Sequence, residues 1–377
     1  MKPIKATMRS MLLIVPALAL AMPAFAQTRS AKLSDSQEPG SVIVFPKFIN
    51  APAVPLEDGG TAPASALKIG VVCPKGATCS SDQVVTIRFH WVCGASAANT
   101  VCQETNFDVT ATVFEKIILV PDGTPEDGYK TGLPTKSVPA APCPGGYLIG
   151  WVIDPATDQP VKFDGLIGSA DLRDVIGTGV QFGLALASYP AIPIQADPKL
   201  ATFPATGSAI NTSSTGGLVF DGAAGHYQEV TGRVFGNARY TQTGSPGTQA
   251  FLTLLTLDVT SNRPNNPVFV DLDFFGGNPS TIGNENQTST STNFICWEEV
   301  ALDAISADLT TTQMGLEGVF ASAPAVIGTK RVTLLGIVRT SETEIAVVGP
   351  PPITIILRET LDTLSNDSVP VSTTFTP

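Results

Sequence analysis

Val85-Thr86-Ile87-Arg88-Phe89-His90-Trp91 alternates apolar and polar residues, and so does Val270-Asp271-Leu272-Asp273-Phe274. Successive side chains of a β-strand point to opposite faces, so each run reads as a strand with one apolar face. Each leads into a polar loop and then an Asn-Phe pair, Asn106-Phe107 and Asn293-Phe294. Four landmarks recur at nearly one offset: Leu67 with Phe251 (184), Phe89 with Phe274 (185), Phe107 with Phe294 (187) and Gly150 with Gly336 (186). A one-residue slip would turn every side chain to the wrong face, so a shared register says more than shared composition. The reading is an internal duplication at an offset of about 186 residues.

Short runs rich in Val, Ile, Thr and Phe, divided by Gly, Pro, Asn and Asp, continue along the chain and predict an all-β fold. Each sheet must bury one apolar face, so two β-sandwich units of Ig-like or jelly-roll type are expected. Residues 39–195 are assigned to the first unit and 246–358 to the second. A Ser/Thr/Gly-rich connector with one strand fills 196–245, flexible over Thr206–Gly217, and 359–377 reads as a tail, its Asn366–Pro377 part laid on the surface or disordered. Helical pattern is confined to Glu298–Leu309, with a lesser turn at Ala170–Val175.

Residues 1–26 read as a cleaved signal peptide: Lys2, Lys5 and Arg9, an apolar stretch from Met11 to Met22, then Ala24-Phe25-Ala26. Residue 27 is Gln, which does not support a lipoprotein. The expected product is exported, periplasmic or extracellular, without a membrane span. Without the signal, 22−3=19 basic residues face 33 acidic ones, a net charge of −14. Phosphate backbones need Lys and Arg clusters, so nucleic acid is excluded as a partner.

Six cysteines in an exported chain read as disulfides. Cys73 with Cys79 and Cys93 with Cys102 flank loops short enough to close locally. Cys143 and Cys296 are left to a bridge or to a buried thiol. No spacing matches a zinc site.

Chemistry has four weak candidates. His90 lies on the polar face of its run beside Thr86 and Arg88, where it reads as a ligand contact or as a solvent-facing residue. Asp271 and Asp273 share a strand face, suited to calcium or to acid–base work on a sugar, or simply to keeping a sheet solvated. Glu298, beside Trp297, is either an acid with a raised pKa or the first turn of a helix. Acids at Asp122/Glu126/Asp127, Asp154/Asp158 and Asp171/Asp174 make structural calcium conceivable, though none has an EF-hand spacing. No cofactor and no catalytic residue is assigned.

The strings Phe294-Ile295-Cys296-Trp297-Glu298-Glu299, Val332-Thr333-Leu334-Leu335-Gly336 and Asn366-Asp367-Ser368-Val369-Pro370-Val371-Ser372-Thr373-Thr374-Phe375 resemble those of exported bacterial β-rich proteins of no assigned function. The resemblance implies export and an all-β fold and carries no catalytic residue. The expected function is non-enzymatic, structural or adhesive, at the bacterial cell envelope or outside it, with a protein or glycan of the cell surface as partner. Ser41–Phe48 is the natural strand to donate to, or accept from, that partner. The alternatives are a carbohydrate-binding or glycan-active protein and a calcium-dependent surface-layer or filament subunit.

Overall fold

Two runs of strands fold into two pairs of sheets with one connection order. In the computed structural model, residues 38–377 are described apart from 53, 56–60, 95–100, 124–137, 177–182, 204–206, 240–247, 261–264, 278–284, 303–316, 347–352, 364 and 367–369. Residues 1–26, read above as a signal peptide, lie outside them. The first run is β1 (Val42–Ile49), β2 (Ser65–Val71), β3 (Val84–Cys93), β4 (Glu104–Thr112), β5 (Lys116–Leu119), β6 (Gly145–Asp154), β7 (Leu166–Ile176), β8 (Gly183–Pro190) and β9 (Ile192–Ile194). Two short strands follow, β10 (Leu218–Phe220) and β11 (Val230–Thr231). The second run is β12 (Val234–Arg239), β13 (Thr248–Leu255), β14 (Val268–Gly277), β15 (Glu285–Phe294), β16 (Trp297–Ala301), β17 (Glu317–Ser322), β18 (Leu335–Ala346), β19 (Ile353–Thr363) and β20 (Ser365–Asn366), and the chain then makes β21 (Pro370–Val371) and β22 (Thr373–Phe375).

The first sandwich has sheets β9-β1-β6-β3-β4 and β8-β7-β2-β5, and the second has β20-β12-β17-β14-β15 and β19-β18-β13-β16. Adding eleven to each label of the first sandwich gives the second. Three of the four sequence landmarks therefore lie on corresponding strands: Leu67 and Phe251 on β2 and β13, Phe89 and Phe274 on β3 and β14, Phe107 and Phe294 on β4 and β15. Their register does not correspond: Leu67 faces the inner core while Phe251 has the opposite parity to the core residues Leu252 and Leu254, and Phe107 pairs with Phe89 whereas Phe294 pairs with Val268. The fourth does not. Gly150 is on β6, which corresponds to β17, while Gly336 is on β18, which corresponds to β7. Both glycines sit in central apolar strands, where Leu-Ile-Gly and Leu-Leu-Gly runs arise from burial alone.

Each sandwich has its own core. In the first, Phe45, Ile87, Phe89, Trp91 and Leu148 of one sheet meet Leu67, Ile69, Leu166 and Leu172 of the other. In the second, Val270, Leu272 and Phe274 meet Leu252, Leu254 and Val338. A third core lies on the outer face of the β9-β1-β6-β3-β4 sheet. There Val42, Val44, Ile149, Trp151 and Ile194 are covered by Ile210, Leu218, Phe220 and Tyr227, by Leu257 and Val259, and by Phe375. That sheet is apolar on both faces, which is why Val42-Ile43-Val44-Phe45 and Leu148-Ile149-Gly150-Trp151 read as continuous apolar runs. The described residues from 38 to 377 accordingly fall in one compact unit.

Several local expectations are corrected. Glu298–Ala301 is strand, not helix, because β16 pairs along β13 from Leu255↔Trp297 to Phe251↔Ala301; there tertiary pairing overrides the helical pattern, which Leu302 keeps, and 303–309 lie outside the described residues. Ala170–Val175 belongs to β7, between β2 and β8. Of the supposed flexible connector, Ile210 is buried and Asn211 and Ser213 are tied by backbone hydrogen bonds to Gly225 and Gly217. The presumed surface tail places β21 on β11 and β22 on β10, with Val371 and Phe375 buried. Ser41–Phe48 is no free edge: β1 lies between β9 and β6, so strand addition there is closed.

Three disulfides are present. Cys73–Cys79 closes its local loop as expected. The expected local Cys93–Cys102 bridge is replaced by Cys93–Cys143 and Cys102–Cys296. The pleat explains the choice. Cys93 has the parity of Phe89 and Trp91, which face the inner core, and Cys143 packs there. Cys102 belongs to the outer core with Cys296. Among the described residues no helix is long and apolar enough to cross a membrane.

Candidate functional site

The sequence candidates do not converge; the structure puts them in three places. His90 is on the outer face of β3, yet it is 1% exposed, so the solvent-facing reading is corrected. Along that face the cover thickens: Thr86 and Arg88 are half-buried, His90 and Val92 buried. The imidazole stacks on Trp151 of β6, centroids 4.7 Å apart and planes 10° apart, and the Phe375 ring stands edge-on to both at 5.8 Å and 6.0 Å. His90 Nδ1 is bonded to Oε1 of Glu104, the diagonal neighbour on β4. His90 Nε2 and Glu104 Oε2 are buried without a hydrogen-bond partner among the described residues. An imidazole–carboxylate pair is two parts of a nucleophilic relay. The rings packed on its imidazole are Trp151 and Phe375, and all six cysteines are in disulfides.

A seam between the sandwiches centres on the β1 bulge at Phe45–Phe48. The Tyr189 hydroxyl fills the bulge, accepting from Lys47 N–H and donating to Lys47 O. Trp297 reaches the same place from β16 after a tight turn in which Cys296 has φ 64° and Trp297 N–H bonds Ile295 O. Its indole N–H donates to Pro46 O at 2.8 Å. Two residues on, Glu299 pairs with the buried Lys47 ammonium, and Arg339 Nε lies 3.8 Å from the same carboxylate oxygen. Glu298 is the neighbour of Glu299 on the opposite face of β16, where burial pushes its carboxyl above the usual range.

Asp271 and Asp273 lie on the outer face of β14. Asp271 is exposed, and Asp273 accepts from Ser289 Oγ at 2.6 Å. The acids expected to suit calcium are otherwise engaged. Asp154 accepts from Ala156 N and Thr157 Oγ1 in its own turn, and Asp158 pairs with Arg88, which holds its carboxyl low. Glu126 and Asp127 lie outside the described residues, among which no group of three His, Cys, Asp or Glu is placed to hold a metal.

Asp171, on the outer face of β7, receives Lys68 Nζ and Ser188 Oγ, with Arg173 at 3.8 Å. Burial pushes its carboxyl up, but Lys68, Ser188 and Arg173 outweigh it and hold the pKa below the ordinary value. A depressed folded-state pKa adds stability above the unfolded value, near 3.9, that is lost as pH falls through the folded value. Asp171→Asn is therefore expected to cost about 2–3 kcal/mol at pH 6, by removing the carboxylate that half-buried Lys68 and buried Arg173 share. The gap to wild type should begin to narrow below about pH 4 and close only below the folded-state value. Urea unfolding across a pH series reads this, and a gap unchanged down to pH 2.5 contradicts it.

Sequence reading missed Glu104, Phe375 and the Lys47–Glu299 pair. Glu104 and Phe375 lie 14 and 285 residues from His90, and no local pattern links them. No family model matches the chain, and no curated protein matches it.

Proposed function

We propose that the chain is an exported, non-enzymatic structural or adhesive protein of the bacterial cell envelope or exterior, built from two sandwiches of common origin. The observation that carries this reading is the third core. It joins both halves into one body, with Cys102–Cys296 bridging them and the bulge of β1 locked under Trp297 and Glu299. A scaffold of this kind carries load and presents surface from loops and sheet faces. The corresponding strand orders support duplication, and the basic-apolar leader with Ala24-Phe25-Ala26, together with three disulfides, supports export. The partner is a protein or glycan at the cell surface.

Fractionation of the producing cell, with N-terminal sequencing, tests the export half. The expected result is a chain beginning at Gln27 outside the cytoplasm. Binding of that chain to immobilised envelope preparations tests adhesion. A cytoplasmic chain that retains residues 1–26, or one that binds no envelope preparation, overturns the reading.

A further inference from the structure

We propose that the outer face of the β20-β12-β17-β14-β15 sheet is a binding face for a neutral polysaccharide chain. The inference deepens the adhesive reading above and rests on it. Val268, Val270, Leu272 and Phe274 point into the core, so Phe269, Asp271 and Asp273 point outward. Paired residues share a face. One row across the sheet is Asn293–Phe269–Val326–Arg331, and another is Ser289–Asp273–Ala321–Phe235.

Three large aromatics are markedly exposed among the described residues, and two are on this face: Phe269 at 47% and Phe235 at 41%. Arg331 and Asp271, both exposed, flank Phe269, and among the described residues neither is held by an ion pair. With strands roughly 4.8 Å apart and residues roughly 3.4 Å apart along them, Arg331 is about 10 Å from Phe269 and Asp271 about 7 Å from it. The two Phe rings are about 16 Å apart by the same spacing, room for about three sugar rings between them.

The corresponding face of the first sandwich shows what a polypeptide cover requires. It is apolar, with Val42, Val44, Ile149 and Trp151, and it takes Phe220 and Phe375. The second face offers hydroxyls, an amide, single charges and two separated rings instead. These fit a hydrated, hydroxyl-rich chain: ring faces pack on the C–H faces of sugars, while carboxylate, amide and guanidinium meet hydroxyls. A chain of net charge −11 repels polyanions, which favours a neutral glycan over an anionic one.

The test is native gel electrophoresis of the folded chain through gels containing hydroxyethyl cellulose, galactomannan, soluble starch or, as the anionic arm, heparin. Retardation by at least one neutral polysaccharide is expected, and none by heparin. Phe269→Ala should weaken it about tenfold or more, as loss of a binding anchor does, with Asp271→Ala and Arg331→Ala in the same direction. Phe114→Ala, an exposed ring elsewhere, should change nothing. These positions are exposed, so an unchanged melting temperature certifies each variant as folded. Failure of all three neutral polysaccharides to retard the chain, retardation indifferent to Phe269→Ala, or retardation by heparin alone overturns the proposal. A chain that still binds envelope preparations but no glycan loses this site and keeps the adhesive reading. A cytoplasmic chain that nonetheless binds the glycan does the reverse.

Discussion

Replacing Phe375 by alanine is expected to destabilise the chain by about 3–5 kcal/mol, the range for removing a fully buried ring from a packed core. The ring is 0% exposed and stands edge-on to both His90 and Trp151. Its loss opens a cavity over the only buried imidazole–carboxylate pair found among the described residues, so two costs add: lost apolar contact and easier hydration of a buried polar pair. Trp151 supplies a second readout, because water reaching its ring shifts indole emission to longer wavelength. Thr374→Ala, one residue away and partly exposed, should stay within about 0.5 kcal/mol. Denaturant unfolding followed by fluorescence measures both. A Phe375→Ala chain of wild-type stability would mean that the strand at Thr373–Phe375 is a surface decoration after all.

The second large effect belongs to the Cys102–Cys296 bridge. It closes a loop with a sequence separation of 194 and joins the first sandwich to the turn that delivers Trp297. In the chain-entropy account a loop of that length contributes about 5 kcal/mol, and experiment often finds less. The double variant Cys102→Ser/Cys296→Ser is expected to lose about 3–5 kcal/mol and to remain folded, since the third core and the Lys47–Glu299 pair still join the halves. Its thermal unfolding should stay a single transition. Two separated transitions in the double variant would show that the disulfide alone holds the sandwiches together.

Much of the fold was legible locally. The period-two runs at Val85–Trp91 and Val270–Phe274 are strands of corresponding position, and their Asn-Phe followers fall on the neighbouring strands β4 and β15. What periodicity could not convey was the second buried face. His90 shares parity with Thr86 and Arg88, so by pattern it belonged to solvent; burial came from Phe375, far along the chain. The same limit hid the Cys102–Cys296 pairing. Its clue was present in the parity of Cys93 and Cys102, which places them on opposite sides of one sheet, but that clue needs the register Val92↔Glu104 to be read. Glu298–Ala301 misled in the other direction, because its helical pattern is overruled by four pairings to β13 that no local window contains. The Asp271–Asp273 pair was placed on the correct strand face, while the rings that give that face its character, Phe235 and Phe269, became significant only once register brought β12, β14 and the Val326–Arg331 hairpin side by side.

The central claim is that two sandwiches of one strand order are joined into a single body through the outer face of the first. Disulfide mapping tests it most directly. The unreduced chain is digested under acidic conditions with pepsin, or with thermolysin, which cuts ahead of Val101 and so separates Cys93 from Cys102, and linked peptides are identified by mass before and after reduction. The account expects Cys93 joined to Cys143 and Cys102 joined to Cys296. A Cys93–Cys102 link would contradict it, returning that bridge to a local loop and removing the Cys102–Cys296 cross-link between the halves.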